Sequence, residues 1–356
     1  MNPIPANPLL GVLLHGIGAL FAATCYTPQK KVRRWSWQTY WLTQASFCWL
    51  LLPILGAVLT IPHLAEVLRE APRSAMLNSF LLGMAYGIGG TAFGISIRYI
   101  GFSLTYAIAV GLSSVLGTLI PPLVAGTLGT TLSKPGAGWI IGGIAIGTLG
   151  IALAGFAGRL KENDLSVRNA KGEFSLTKGL ALSLLAGVLS AVYGFALAAG
   201  EPIADVASAH GAGVWRGNVV YIFSNTGAFI TAAAYCLWLH LRHKTLGEMV
   251  ALPEGGEKAS LPVNWMMAIL TGCLWYGQFF FYNLGHVHLG KKFAFTSWAI
   301  HMIMLVLFSN LVGVALREWR ASRRMTHVTI AFALVVLAAA VLLLTYGNYL
   351  GKPASP

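Results

Sequence analysis

Three residues on one stretch of the chain have the types and spacing of a binding surface. Trp275, Gln278 and Tyr282 follow one another at three and four residues, so on a helix they share one side. Trp298 and His301 repeat that spacing a little further on. Aromatic rings with an amide, a hydroxyl and an imidazole among them suit a neutral sugar. The ring faces cover apolar C–H patches, and the polar groups satisfy hydroxyls. A charged ligand calls for an opposite charge buried beside it, and the sequence offers none there. Near the N-terminus, His15 and the segment CYTPQKK, with Tyr26 and Gln29, add further polar groups.

The residue types of soluble catalysis are missing. There is no Walker A, HExxH or GxSxG pattern. GIGG at 87–90 has the glycine content of a nucleotide loop but lies inside an apolar run. The cysteines, Cys25, Cys48, Cys236 and Cys273, all fall in apolar segments without CxxC spacing, which points away from a disulfide framework or a metal site. The expectation is therefore no enzyme, no cofactor and no metal.

The elements that must carry these residues are membrane helices. The chain of 356 residues is 56% hydrophobic and only 10% charged, against about 25% charged in a soluble domain. Apolar runs of about twenty residues recur, the length that crosses a bilayer core as a helix. Glycine, at 41 residues, lets membrane helices approach closely. Trp35, Trp37, Tyr40, Trp41, Trp139, Trp215 and Trp265 lie near the ends of these runs, where such rings suit the headgroup level. The formal charge of +13 comes from basic residues bracketing apolar runs, which favours membrane-flanking loops over a nucleic-acid interface. The opening MNPIPANP has no basic segment of the kind that begins a cleavable signal peptide.

Ten spans fit the pattern, at about 9–27, 38–60, 76–97, 101–125, 138–157, 177–199, 217–239, 263–285, 293–316 and 326–346. Of the 24 Lys and Arg, 17 fall in the loops after odd-numbered spans. Positive residues stay on the cytoplasmic side, so both termini are expected on the periplasmic side of a bacterial inner membrane. The charged connector GRLKENDLSVRNAKGEFSLTKG divides the spans five and five. An odd number per half inserts the halves in opposite senses, the inverted repeat of many secondary transporters. The expected fold class is an all-α integral membrane protein, with residues 1–160 as the first five-helix repeat, 161–178 as the cytoplasmic connector and 179–356 as the second repeat. At an offset of 189 residues, Gly83 corresponds to Gly272, Tyr86 to Trp275 and Gly101 to Gly290. Tyr86 thereby joins the candidate binding residues.

Polar groups at membrane depth default to site hypotheses, although a lone Asn or His often makes one interhelical bond and nothing more. Asn218, Asn225 and Asn310 stand between those readings. All eleven acidic residues lie outside the span centres, Glu201 and Asp205 closest. If a proton is carried, His15, His301, Glu201 and Asp205 are the candidates, since burial tunes such groups. Arg98, closing the third span, is read as snorkelling to the interface.

Four segments carry a resemblance: GALFAATCYTPQKKVRRWSWQTYW, WYGQFFFYNLGH, TSWAIHM and the REW that follows. In their order, over nearly the whole chain, they resemble the bacterial L-rhamnose–proton symporter family of the drug/metabolite transporter superfamily. The resemblance implies a cytoplasmic-membrane symporter that imports L-rhamnose with a proton by alternating access, built as two inverted five-helix halves around a central cavity. Some members carry an acidic residue just before TSW, where this chain reads GKKFAFTSW with Lys291, Lys292 and Ala294. That departure leaves open another 6-deoxyhexose or a different coupling. An exporter or exchanger of another metabolite, and a membrane sugar sensor that binds without transport, are the alternatives. Apolar outer helix faces suit lipid and a second copy equally.

Overall fold

The computed structural model describes residues 7–100, 102–124, 126–166, 175–255, 258–289 and 296–350. Every regular element among them is helical. In chain order these are α1 (Pro8–Thr24), α2 (Trp37–Thr60), the short α3 (Leu64–Glu70), α4 (Arg73–Ile100), α5 (Phe102–Val124), the short α6 (Leu128–Leu132) and α7 (Ala137–Ser166). After the connector come α8 (Leu176–Ala199), the short α9 (Glu201–Ala209), α10 (Val220–His243), α11 (Leu261–Leu289), α12 (Thr296–Ala315) and α13 (Arg324–Leu350). Eight of the stretches are long and apolar enough to cross a membrane. The chain is thus an all-α, multi-spanning membrane protein. Large apolar side chains such as Leu9, Leu59, Val335 and Leu342 are exposed, as a lipid-facing surface requires.

The helices sort into two compact units, each drawn from both halves of the chain. One comprises Met1–Ala23, Gly89–Gly194 and Phe281–Pro356. Its backbone is the pairing of α7 with α13, joined by α5 and α12. The other comprises Thr24–Ile88 and Phe195–Phe280. There α2 packs on α10, and α3 and α9 close one end around Ile61, Val67, Ile203 and Val219. These short helices were not expected from the hydropathy pattern, which has no signal for seven-to-nine-residue elements.

α2 is interrupted by a π-helical turn at Ser46–Leu51. Pro53 explains its position: proline has no N–H for the Trp49 carbonyl four residues back. The backbone slips by one residue, and the Leu52 N–H reaches the Phe47 carbonyl five residues away. Hydroxyls along α2 are satisfied within the helix, Thr43 on the Thr39 carbonyl, Ser46 on Leu42 and Thr60 on Gly56. Such back-bonding is the local solution where no water competes.

Polar side chains also pin the helix ends. In the second unit the Glu248 carboxylate accepts from the Ser36 N–H, the Ser36 hydroxyl and the Thr39 hydroxyl at 2.6–2.7 Å, placing an anion at the start of α2 where the helix dipole favours it. In the first unit Asp164 does the same for α13. It accepts from the Arg323 N–H and the Thr326 hydroxyl, both at 2.8 Å. The Arg323 backbone N–H, then the Thr326 hydroxyl, hold the Asp164 carboxyl below its ordinary value of 3.8. Because the folded value lies below the unfolded one, this contribution to stability is complete above the ordinary carboxylate range. It disappears as pH falls through the lowered value. Asp164→Asn is therefore expected to lower the unfolding midpoint in detergent at pH 7. The gap from wild type narrows as the pH falls below the ordinary carboxylate range, and a pH-independent gap would show that Asp164 acts only through packing.

Candidate functional site

Each unit contains its own cluster of aromatic and polar side chains. In the first unit the centre is Tyr282 on α11. Its ring meets His15 of α1 at 5.1 Å and His301 of α12 at 5.4 Å between centroids, both edge-on. His15 and His301 are 5.9 Å apart. Trp298, one turn before His301, packs edge-on against Tyr282 at 5.8 Å. His286 lies over the other side of Tyr282 at 6.1 Å, with Nδ1 at 3.0 Å from the Ser297 hydroxyl. All of His15, Tyr282, Trp298 and His301 are buried. Both ring nitrogens of His15 and Nδ1 of His301 lack a hydrogen-bond partner among the described residues. A neutral imidazole offers one donor and one acceptor, so the pair is equipped to meet a hydroxyl or to take a proton.

Small residues make room for these rings. A Cβ at Gly285 would stand 2.9 Å from the His15 ring, so α1 reaches α11 only because that residue is glycine. Trp298 is seated against α5. Its indole N–H donates to the Ser113 carbonyl at 2.9 Å and lies 3.2 Å from the Ser113 hydroxyl. A Cβ at Gly117 would meet the same indole at 2.6 Å.

In the second unit Trp275 is the hub. It meets Tyr26 at 5.3 Å, Trp41 at 5.8 Å and Trp49 at 5.2 Å, each edge-on. Tyr86 adds to Trp49 at 5.9 Å. Trp275 and Tyr282 lie on the one helix α11 but serve different clusters, so the single stripe expected from their spacing divides between the units. Gln278, between them in sequence, is buried, and Gln29 is half-buried on the turn Pro28–Lys31.

Other candidates have structural employment. Glu201 and Asp205, on α9, both accept from the Arg216 guanidinium and are largely open to the surroundings. Asn218 donates to the Thr60 hydroxyl and Asn310 to the Val306 carbonyl of its own helix. Asn225 is fully buried. No Asp or Glu is buried among the described residues. The stretch containing Lys291, Lys292 and Ala294, the glycines 101 and 290, and the Arg98 side chain lie outside what the structure describes.

Sequence reasoning did not place Trp41 or Trp49 in this cluster. Tyr40 and Trp41 had the look of an interfacial belt, but both are fully buried, with the Tyr40 hydroxyl donating to Thr271 at 2.8 Å. Trp139, at 47% exposed, does fit such a belt. The signal was present, since Trp37, Trp41, Gln44 and Cys48 follow at four, three and four residues. Replacing Gly117 with alanine is expected to push Trp298 off Ser113 and cost about 1–3 kcal/mol, read as a lower unfolding midpoint in detergent. Gly194→Ala, whose new methyl has only one neighbour, at 3.9 Å, should leave the midpoint unchanged. Equal behaviour of the two variants would remove Gly117 from this role.

Comparison with known proteins agrees in both fold and sequence. A solved crystal structure matches with a TM-score of 0.51 over 94% of this chain and 98% of its own, at 17% identity, a likeness of fold alone. The L-rhamnose-proton symporter of Cronobacter sakazakii (strain ATCC BAA-894) is 34% identical over 333 residues, covering 93% of this chain and 95% of that protein. The L-rhamnose-proton symporter of Yersinia pestis (strain Pestoides F) is 33% identical over 335 residues, covering 93% and 96%. The family model described as L-rhamnose-proton symport protein (RhaT) matches residues 5–348. A match of that length, together with relatives a third identical over nearly the whole chain, means that this protein belongs to the L-rhamnose-proton symporter family of the drug/metabolite transporter superfamily.

Proposed function

We propose that this chain is a secondary active transporter of a bacterial inner membrane that imports L-rhamnose, or a related 6-deoxyhexose, together with a proton by alternating access. The observation that carries the reading is the match of residues 5–348 to the symporter family. The chemistry of the two clusters supports it. The second unit offers rings and polar groups for a neutral sugar, among Tyr26, Tyr86 and Trp275, with Gln29 and Gln278 as further contacts. The first unit offers Tyr282, Trp298 and two imidazoles. In this reading His15 and His301 hold the proton. Two positive charges at that spacing would repel, so the pair carries one. Glu201 and Asp205, committed to Arg216, become a structural tie.

The architecture proposed is ten spans in two inverted repeats, 1–160 and 179–356, joined by a cytoplasmic connector at 161–178, with both termini periplasmic. α5 and α11 complete the ten. α11, at 29 residues, is long enough to cross a core of about 30 Å, and its Gln, Asn and His residues lower its hydropathy. Two correspondences support the repeat. A Cβ at Gly83 on α4 would run into the Ser224 backbone of α10, and one at Gly272 on α11 into the Gln44 and Cys48 backbone of α2. The third helix of each half thus meets the second helix of the other at glycines 189 residues apart. At the same offset, Ser96 of α4 bonds the Gly179 carbonyl of α8, as Gly285 of α11 abuts Gly11 of α1.

Uptake of labelled L-rhamnose into proteoliposomes is the test. Accumulation above the external level is expected only with an inward proton gradient. Binding without accumulation would replace transport with sensing, and outward net flux would make the protein an exporter. His301→Gln and His15→Gln are expected to lose gradient-driven accumulation while sugar exchange across vesicles without a gradient persists. Normal accumulation by both variants would take the proton away from this pair.

A further inference from the structure

α2 carries a polar side chain that the fold leaves without employment. Gln44 is completely buried, and neither its amide nitrogen nor its amide oxygen has a hydrogen-bond partner among the described residues. Because both atoms are unpaired, the choice of which is oxygen makes no difference. Its neighbours on the same helix behave differently. Gln38 donates to Thr245 at 2.9 Å, and Thr43 and Ser46 bond their own helix. Buried polar groups are nearly always bonded, so an orphan invites an explanation. Gln44 is not alone: the indole N–H groups of Trp41 and Trp49 are also buried and unpaired.

The geometry of α2 gathers these groups. Trp41 and Gln44 are three residues apart and share a face. Trp49 would not join them on a regular helix, since eight residues at about 100° each leave it roughly 80° away from Trp41. The π-helical turn at Ser46–Leu51 is underwound, and Trp49, within it, is swung back toward the side of Trp41. The Trp41 and Trp49 rings accordingly meet at 6.4 Å, with Trp275 against both. A helix defect set by Pro53 thus brings the two indoles together, with the Gln44 amide three residues from Trp41 on the same side of α2.

We infer that Gln44 is a sugar-binding, specificity-determining residue, its amide taking a pair of vicinal hydroxyls while the Trp41 and Trp49 N–H groups donate to further oxygens. This deepens the transport reading and rests on it. A primary amide accepts from one hydroxyl and donates to the next, a match for adjacent hydroxyls on a pyranose ring. The indole faces cover its C–H bonds. Trp41, Gln44 and Trp49 are fully buried, so in this reading sugar reaches them only in another conformation of the alternating-access cycle.

The inference separates from a structural role by its effect on the sugar-free protein. Leucine at a structural glutamine destabilises. Leucine at an amide held in reserve for a ligand removes an unsatisfied group, so the sugar-free protein melts at the wild-type temperature or above. The experiment measures unfolding midpoints and L-rhamnose affinity of the full chain in detergent, for wild type, Gln44→Leu and Trp49→Phe, with L-rhamnose and its monodeoxy analogues. Gln44→Leu is expected to keep its sugar-free midpoint and lose about tenfold or more in affinity. One or two monodeoxy analogues should bind wild type about tenfold more weakly than L-rhamnose, yet match L-rhamnose on Gln44→Leu. Trp49→Phe keeps a ring and drops the N–H, and should weaken binding several-fold without touching the fold. Wild-type affinity and wild-type analogue ranking in Gln44→Leu would overturn the inference, as would a lowered sugar-free midpoint with binding intact. Should Gln44→Leu not fold, unweakened binding by Trp49→Phe overturns the shared site. No response of wild type to any 6-deoxyhexose would instead overturn the transport reading itself.

Discussion

Everything in this molecule answers to one constraint: inside a bilayer no water is available to complete a hydrogen bond. The backbone meets it by being helical among the described residues. Thr43, Ser46 and Thr60 meet it by bonding carbonyls four residues back. At helix ends, where four N–H groups lack intrahelical partners, Glu248 and Asp164 supply oxygens to α2 and α13. Asn264 exchanges two bonds with the Arg33 backbone. Against that background a buried polar atom without a partner stands out. Among the described residues His15 and Gln44 stand out, because both polar atoms of each side chain are buried without a partner.

The second constraint is distance. Without a hydrophobic force to drive helices together in lipid, close backbone contact does the packing. Gly83 and Gly272 admit the neighbouring backbone, and any side chain there would collide with Ser224 or with Gln44 and Cys48. The same residues that permit packing also set the clusters. Gly272 holds α11 against α2, and so brings Trp275 to Trp41 and Trp49. Gly285 lets α1 close on α11, and so brings His15 to Tyr282.

The fold class was legible because it depends on local quantities, run length and charge, that each segment carries by itself. The positions of α4 and α13 followed from them to within a few residues, whereas α7 runs nine residues past its expected end into the charged connector. α11 is legible as an apolar run at 263–285, although its polar residues make it less apolar than its neighbours. The clusters were only half legible. Spacing correctly put Trp298 and His301 on one side of α12, where both meet Tyr282. Spacing put Trp275 and Tyr282 on one side of α11, but which neighbours that side meets along its length is decided by other helices. Trp49 was invisible for a different reason: a regular helix turns it away, and only the slip before Pro53 turns it back. What the sequence could not show for Glu201 and Asp205 was their shared partner, Arg216, eleven and more residues on.

Symport needs more than two sites; occupation of one must alter the free energy of the other. The chain supplies a covalent route for that. α1 carries His15 in one unit and leads directly into Tyr26 in the other. α11 carries Trp275 in one and Tyr282 in the other without a break in the helix. In the proposed reading, a helix stiff along its axis would carry a shift of Trp275 on a bound ring to Tyr282, against which both imidazoles rest. Proton and sugar would then favour the same position of α11, each strengthening the other by the same factor, as linkage demands. No buried carboxylate is required for this. A neutral cargo and a single mobile positive charge need only a group that can hold the charge and a rigid element that both ligands move.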